Sequence, residues 1–474
     1  MAAATRLGKR ATPPPTLTPT RQTKRQCTSD AWSADSPLSS AASTPEPPST
    51  RTTKLDHIDI SGQRLKPTIV FDTLWKWLAE RKALDDERRQ GLPAPWTDDR
   101  ILQEYKFCQS YRVMDKTSQF LITEVIEKGS QARDEILFRI LLFQSFNRIE
   151  TWRLLQKELG NLTYKDFDID RYDSVLSKAS NGGTAIFTHA YLKIAPNALD
   201  HTKNNSASGH RRHLNLLKHF MDDLPEVLRY AEYAADVYEA IAAYPGCAAF
   251  ISFQILIALS YSSLINFSAN DFVIPGLGCS SGLAKMFGNS LKEAKKVVPD
   301  IETDILRWMV ANQEAQFDRL GITFSFLRND KGAVLKLELP DLEHAVCEVD
   351  KYARKKHPGI KNGKAQLKST FVPTSASLPA KVVLPKAWSH PARRRSHIRA
   401  EKISVHKIYV VESILGERLG GKLGDNEMYY RVHWMGYPKS ERTWEPRSEL
   451  IQDVPQMVEA WESRRKEAGV DHQQ

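Results

Sequence analysis

Two short alternating segments near the C-terminus constrain the fold of this chain more than any other feature. Apolar and polar residues alternate over 409–418 and again over 428–434, which is typical of β-strands with one buried face. The intervening residues 420–426 form a turn-rich loop that is longer than a tight hairpin requires. A helix is predicted over 454–466, with apolar side chains on one face. The sequence therefore predicts a small antiparallel sheet that is covered by a C-terminal helix.

Three aromatic residues in this region are spaced so that strand geometry could bring them together. They are Tyr409, Trp434 and Tyr437. Electron-rich rings arranged around one point attract a quaternary ammonium group through cation–π interactions. The alternative is that these are ordinary aromatic residues of a small sheet. Trp444 is interpreted as a core residue rather than as part of the group.

The spacing of these residues, together with the strand–turn–strand–helix order, closely resembles a chromodomain over about residues 403–465. The resemblance implies that the three aromatic residues form a cage for a methylated lysine of a histone tail. It also implies that Glu441 is the acidic residue beside the cage. The chain departs from the heterochromatin-type pattern at Glu449 and Ile451, where those members carry small polar residues that clamp the peptide. The methyl-lysine chemistry is therefore expected, but the preferred tail sequence is not specified.

Composition divides the rest of the chain into globular and flexible parts. The first 66 residues are rich in Pro, Ser, Thr and basic residues and are predicted to be disordered. A flexible basic linker with non-specific phosphate affinity is predicted around the arginine run 393–395. The predicted parts are a tail at 1–66, a helical domain at 67–357, the linker at 358–402, the chromodomain at 403–466 and a tail at 467–474.

Charge and cysteine content point to an intracellular, nuclear protein. The net charge of +10 suggests a polyanionic partner. Basic groups at 9–10 and 21–25 resemble a bipartite nuclear import signal, although a solvated basic tail explains them equally well. The five cysteines include no CxxC pair, so no metal site, disulfide framework or cofactor is predicted. No signal peptide is expected, and the longest apolar stretch, 247–259, is too short to span a bilayer.

The region between the tail and the linker is predicted to be mostly helical. Residues 134–146 are apolar on nearly all sides and should form a buried central helix. Short strands are predicted around 322–326 and 334–339. The other predicted helices lie at 71–89, from 97 onward, and at 116–127, 213–243 and 248–263.

Three polar segments inside this helical region contain the candidate catalytic residues. Unpaired polar groups beside apolar residues are costly to bury, so these segments are expected to meet at a shared pocket. The alternative is a set of helix caps and internal ion pairs. Two lone histidines, His189 and His344, are interpreted as packed rather than catalytic. The candidates are Arg112, Asp115, Gln119, Asn147, Glu150 and Glu348.

Over residues 68–356 the polar segments, with 187–193, 244–254 and 271–278, resemble the helical domain of phage 5-hydroxymethyluracil DNA kinases. That domain is related to the α-glutamyl/putrescinyl thymine pyrophosphorylases, which modify DNA bases. The resemblance implies a helical architecture like that of DNA glycosylases, and it implies base-modifying chemistry at the candidate residues. The chain contains no Walker A motif of the form GxxxxGK[ST], so kinase activity is not expected.

A glycine hairpin at residues 275–278 has a physical interpretation of its own. Gly276 and Gly278 would expose backbone N–H groups beside a helix N-terminus, which is a site for a phosphate. Helix–hairpin–helix DNA glycosylases hold the DNA backbone in this way, whereas the alternative is a plain tight turn. Asp300 lies near the distance of the catalytic aspartate in those glycosylases, but basic residues at 292–296 replace the expected apolar run.

The two resemblances predict a nuclear chromatin-associated protein. Its expected partners are a methylated histone tail and DNA, with no membrane partner, and the question of enzymatic activity stays open. The alternative is a reader or scaffold whose helical domain has lost its chemistry. A retroelement integrase is not expected, because the sequence has neither a paired His/Cys zinc module nor a strand-rich nuclease core.

Overall fold

The structure of the chain is a computed structural model. The first 54 residues of the predicted N-terminal tail lie outside the residues that the structure describes. The described residues are 55–189, 208–360, 367, 370–372, 378–399, 411–420, 427–434 and 442–467.

Helices dominate the central region, as the sequence predicts. A π-helical turn over Leu121–Ile126 follows the third helix directly, and a 3-10 turn over Arg112–Met114 precedes it. Among the described residues, no helix is both long enough and apolar enough to span a membrane. The helices are α1 (Ile69–Arg89), α2 (Arg100–Glu104), α3 (Lys116–Phe120), α4 (Arg133–Phe146), α5 (Ile149–Leu159), α6 (Ile169–Asn181), α7 (Gly209–Tyr230), α8 (Ala234–Ala242), α9 (Ala249–Leu259), α10 (Leu277–Val297), α11 (Ile301–Arg319) and α12 (Leu339–Lys356).

The core of the helical domain is built around α4, which is buried on nearly all sides as predicted. It packs against α7, α9 and the π-helical turn, and Phe138 and Leu142 are fully buried. Arg139 is a buried charged residue on this helix. Its guanidinium donates hydrogen bonds to the carbonyls of Val125 and Ser130 at 2.8 Å each, so the buried charge is solvated by backbone.

Short strands complete the helical domain, and one pair corrects the boundary of the predicted tail. Strands β1 (Ile58–Ile60) and β2 (Gln63–Leu65) form an antiparallel hairpin inside the region predicted to be disordered. The reason is that Ile58, Ile60 and Leu65 are all buried against the helical core. A second pair, β3 (Leu327–Arg328) and β4 (Val334–Leu335), lies near the predicted strands.

Helices α10 and α12 approach each other closely at two glycines of α10. A Cβ atom on Gly282 would lie 2.4 Å from the carbonyl oxygen of Val346. A Cβ atom on Gly278 would lie 2.3 Å from the Sγ atom of Cys347. A real Cβ atom cannot approach other atoms so closely, so this helix contact requires glycine at both positions.

The predicted flexible linker requires a correction, because residues 378–399, here called the strap, pack on the helical domain. Val382, Leu384 and Trp388 are partly buried against the helical core. The indole Nε1 of Trp388 also donates a hydrogen bond to the carbonyl of Ser260 at 3.1 Å. These apolar anchors outweigh a proline-rich, basic composition that is otherwise typical of a tether.

The C-terminal region is a small α+β domain, as predicted. Its strands form an antiparallel sheet in the order β5-β6-β7. A separate core of six buried residues includes Tyr430, Val432 and Val458. Two helices rather than one follow the sheet. The elements are β5 (Val411–Leu419), β6 (Met428–Trp434), β7 (Thr443–Pro446), α13 (Arg447–Asp453) and α14 (Pro455–Glu467).

The interpretation of Trp444 as a core residue is wrong. Trp444 pairs across the sheet with Arg431, which is exposed between the buried residues Tyr430 and Val432. Because successive residues of a strand point to opposite faces, Trp444 lies on the face away from the core. There the guanidinium of Arg418 stacks on its ring at 4.6 Å.

Candidate functional site

Arg112 lies at the centre of a largely buried polar cluster in the helical domain. Its guanidinium donates a 2.8 Å hydrogen bond from Nη2 to the side-chain oxygen of Gln254. Nη1 lies 3.1 Å from Nε2 of His344 and 3.6 Å from a carboxylate oxygen of Asp115. We refer to Cys108, Arg112, Asp115, Gln254, Asp341, His344 and Glu348 as the Arg112 cluster.

Three elements bring these side chains together. The 3-10 turn presents Arg112 beside Asp115, which precedes α3. The backbone N–H of Arg112 donates to the Asp341 carboxylate in the first turn of α12 at 2.7 Å. His344 and Glu348 are four residues apart on α12 and therefore share a face. The cluster thus joins residues from three distant parts of the sequence, with Gln254 contributed by α9.

The carboxylates of Asp115 and Glu348 also fix the backbone that precedes the 3-10 turn. The N–H of Gln109 donates to Asp115 at 2.9 Å, and the N–H of Cys108 donates to Glu348 at 3.2 Å. Lys351 Nζ is 2.6 Å from the other oxygen of Glu348. Both carboxylates are therefore partnered, and the site is held in one conformation rather than being left to solvent.

Burial raises the pKa values of two carboxyl groups in the cluster. Burial raises the pKa of Asp115 to about 6, although the neighbouring Arg112 guanidinium opposes the rise. Burial likewise raises the pKa of Asp341 to about 7. The pKa of His344 is well below its usual range, because burial and the Arg112 charge both disfavour the imidazolium. Near pH 7 the cluster therefore combines titrating carboxyl groups with a neutral imidazole, which is a composition suited to proton transfer.

Cys108, Asp115 and His344 offer ligand atoms within 4.8 Å of one another, which raises the question of a metal ion. The Arg112 guanidinium contacts two of these three residues. Burial and the carboxylate of Glu348 also raise the pKa of the Cys108 thiol, which disfavours the thiolate that a metal would bind. A protein cation thus already contacts two of the three ligand residues, and the absence of a metal stays a prediction.

The other predicted catalytic residues lie elsewhere, so the expected meeting of all three polar segments is wrong in part. The Gln119 amide exchanges two 3.0 Å hydrogen bonds with the backbone of Val383 in the strap. The Glu150 side chain is 58% exposed and lies 3.5 Å from Arg148. Asn147 ends α4 in the left-handed conformation, with a φ of 45°. These residues terminate helices or hold the strap, whereas Arg112, Asp115 and Glu348 do come together.

The glycine hairpin has a packing role that the sequence did not indicate. The N–H of Gly276 already donates to the carboxylate of Glu343 at 3.0 Å, and a phosphate at the same group would meet that negative charge. Gly278 faces α12 through its close approach to Cys347. Asp300 is exposed at the start of α11 and lies outside the Arg112 cluster. Phosphate binding at the two glycines stays a prediction, and Glu343 weighs against it.

One member of the predicted aromatic cage lies among the described residues. Trp434 ends β6, and its indole Nε1 donates a 2.7 Å hydrogen bond to the hydroxyl of Thr443 on β7. This bond fixes the orientation of the ring at the end of the strand. Tyr409, Tyr437 and Glu441 lie outside the described residues, so the cage itself stays a prediction.

The raised pKa of Asp341 predicts a pH-dependent stability. The folded chain retains a proton on this carboxyl up to about pH 7, whereas the unfolded chain releases it near the usual value for aspartate. The contribution of Asp341 is therefore fully present below about pH 4 and is lost as the pH rises toward 7.

Asp341→Asn cannot titrate and isolates this effect. Relative to the variant, the wild type should lose at most roughly 1.4 kcal/mol of unfolding free energy per pH unit across that window. Denaturant unfolding of both chains at several pH values measures the difference. Asp115 and His344 titrate in both chains, so their effects largely cancel. A difference that is independent of pH would contradict the prediction.

Comparisons with known proteins identify both regions of the chain. Residues 68–362 match the family described as 5-hmdU DNA kinase, helical domain, and residues 409–464 match the Chromo (chromatin organisation modifier) domain. A protein of Bacillus phage SP10 named 5-hmdU DNA kinase is 22% identical over 300 residues, covering 59% of this chain. The match spans only 45% of that phage protein. No solved structure matches the chain, so the likeness to DNA glycosylases stays a prediction.

Proposed function

The chain belongs to the 5-hmdU DNA kinase helical-domain family and carries a chromodomain, and we propose that it is a nuclear protein that acts on chromatin DNA. In this proposal the chromodomain binds a methylated lysine on a histone tail, and the helical domain binds DNA. The observation that carries the proposal is the presence of both domains in one chain. A histone-reading module beside a DNA-directed domain places the second domain where its substrate is.

The chromodomain part of the proposal rests on Trp434. Its ring is held by Thr443 at the end of the central strand, and the cage prediction places Tyr409 and Tyr437 next to it. A tryptophan face is the strongest cation–π partner among the aromatic side chains. The family match over 409–464 includes all three positions.

The helical-domain part rests on the Arg112 cluster. An enzyme that acts on a DNA base extrudes that base into a pocket and recognises its polar edge by hydrogen bonds. Arg112 and Gln254 supply a donor and an amide for such an edge, and Asp115 supplies a carboxyl group that titrates near neutral pH. Arg112 and Asp115 keep 17% and 13% of their side chains exposed, so the two residues are not completely buried. We propose it as the site for an extruded pyrimidine.

A chromatin scaffold without chemistry is the second candidate. It is favoured by the fact that Arg112, Asp115 and Glu348 already have protein partners, as in a structural ion-pair network. The name of the phage relative refers to a kinase, but phosphoryl transfer is not proposed here because this sequence contains no Walker A motif.

Binding of the full chain to duplex DNA tests the proposal. The affinity should fall steeply with salt, because phosphate contacts release condensed counterions. A duplex with 5-hydroxymethyluracil should bind more tightly than a matched thymine duplex. Asp115→Asn should reduce this preference, whereas Asp318→Asn, which changes an exposed aspartate on α11, should leave it unchanged. If no complex forms even at low salt, the DNA-binding part of the proposal is wrong.

A further inference from the structure

Ion pairs add to the apolar anchors that hold the strap on the helical domain. Three of its basic residues each contact a carboxylate on a different element of the helical domain. Surface pairs of this kind contribute little individually and weaken as salt rises. The pairs are Lys386 with Glu127 at 3.0 Å, Arg393 with Glu338 at 3.1 Å, and Arg399 with Glu239 at 2.9 Å.

Arg393 is the central anchor among these residues. Its side chain is only 9% exposed, whereas that of Lys386 is 82% exposed. The guanidinium stacks on the ring of Trp388 at 4.4 Å, and its Nη1 donates to the carbonyl of Phe267 at 3.4 Å. Burial and the cation–π contact make this pair stronger than an exposed one.

The same arginine belongs to the run 393–395 that the sequence predicts to contact phosphate. In the docked strap one edge of its guanidinium faces Glu338, and its flat face covers Trp388. Because only 9% of the side chain is exposed in this position, a phosphate has little access to it while the strap is docked. Docking of the strap and DNA binding by the run therefore compete at Arg393.

We propose that the strap is a nucleic-acid-binding segment that the helical domain holds in reserve, and that duplex DNA displaces it from its carboxylate partners. The inference rests on the proposed DNA binding of the chain. A duplex presents a dense row of phosphates, which competes with a few separate carboxylates for the same basic side chains. In the absence of DNA, the carboxylates thus pair with the basic side chains that would otherwise contact phosphates.

Release of the strap would also remove contacts from residues that adjoin the Arg112 cluster. Trp388 packs on Tyr261, with the ring centres 5.8 Å apart. Tyr261 is itself buried in the helical core. Glu338, the partner of Arg393, donates its backbone N–H to Asp341 of the cluster at 2.9 Å. Binding of the DNA backbone would therefore be linked to the surroundings of the candidate site.

Hydrogen exchange of the full chain, read together with DNA affinity, tests this inference. The informative amides are those of Val383, Lys386 and His397, which donate to side chains of the helical domain. A saturating short duplex should accelerate their exchange. Glu338→Gln removes the carboxylate partner, so it should accelerate exchange without DNA and tighten duplex binding by about fivefold.

Two further variants separate docking from binding. Arg393→Ala should also accelerate exchange, but it should not tighten binding because it removes a phosphate contact. Lys381→Ala removes an exposed positive charge from the start of the strap and should weaken binding slightly without changing exchange. Thermal unfolding of each variant checks that the helical domain is intact.

The outcomes distinguish this inference from the proposed function. If the wild type binds duplex DNA but strap exchange does not change, the inference is overturned and DNA binding stands. If Glu338→Gln binds duplex DNA no more tightly than the wild type, the inference is overturned as well. If only Glu338→Gln binds DNA, the strap masks the site but duplex DNA does not displace it, and the inference is overturned. If neither chain binds at low salt, both proposals fail.

Discussion

Arg112→Ala is expected to lower the unfolding free energy of the helical domain by about 3–5 kcal/mol, because it leaves a buried carboxylate without its cation. Arg112 is tied to Gln254, His344 and Asp115, and alanine would remove all three contacts. Urea unfolding of the full chain, followed by far-UV circular dichroism, measures the loss. The helical signal reports chiefly on the central domain, where most of the described helices lie.

Two control variants make this prediction specific. Arg171→Ala removes an exposed arginine from α6 and should change stability by less than about 0.5 kcal/mol. The double variant Arg112→Ala with Asp115→Ala should recover part of the loss, since it also removes the stranded charge. If Arg112→Ala is as stable as the wild type, the guanidinium is not a structural centre of the cluster.

Trp434→Ala is expected to abolish most binding of a trimethyllysine histone peptide by the chain. One cation–π contact contributes about 0.5–2 kcal/mol, and the substitution also opens the end of the strand to water. The affinity should therefore fall by about tenfold or more, measured by calorimetry with methylated and unmethylated peptides. The unmethylated peptide should bind weakly to both chains.

Trp444 provides a matched control for this experiment. It lies on the opposite face of the same sheet and stacks on Arg418, so Trp444→Ala should keep the preference for the methylated peptide. Loss of the preference in both variants would indicate general damage to the domain. Equal affinity of the wild type for methylated and unmethylated peptides would refute methyl-lysine recognition.

Local sequence patterns predicted those parts of the fold that depend on local periodicity. The alternation over 428–434 indicated β6, since burial of Tyr430 and Val432 on one face requires it. The continuous apolar surface of α4 indicated a central helix for the same reason. Both signals lie within one element and need no knowledge of the rest of the chain.

The Arg112 cluster could be predicted only in part, because its contacts join residues far apart in the sequence. Arg112 and Asp115 were found as a local pair, but Gln254 and His344 follow 142 and 232 residues later. A lone glutamine in an apolar helix carries no local signal for such a contact. Asn147 and Glu150 show the opposite error, since polar residues beside apolar ones are also what a helix end requires.

The packing of the strap was not predicted, because its composition is typical of a flexible linker whereas its contacts hold it on the helical domain. Prolines and basic residues around 379–395 are typical of a tether. Two of the docking contacts are made by Trp388 and Arg393, whose partners are a carbonyl and a carboxylate on the helical domain. The sequence of the strap alone does not show whether the helical domain offers these hydrogen-bonding partners.

The glycine contact between α10 and α12 has a mechanical consequence. With Gly282 against the carbonyl of Val346, neither helix can slide without driving backbone into backbone. The buried pair of Lys285 and Asp350, at 2.8 Å, fastens the same two helices one turn further along. Leu277, which is 94% exposed at the start of α10, therefore lies on a helix that is fixed to α12. A displacement of the start of α10 is expected to move α12 and the cluster residues that it carries.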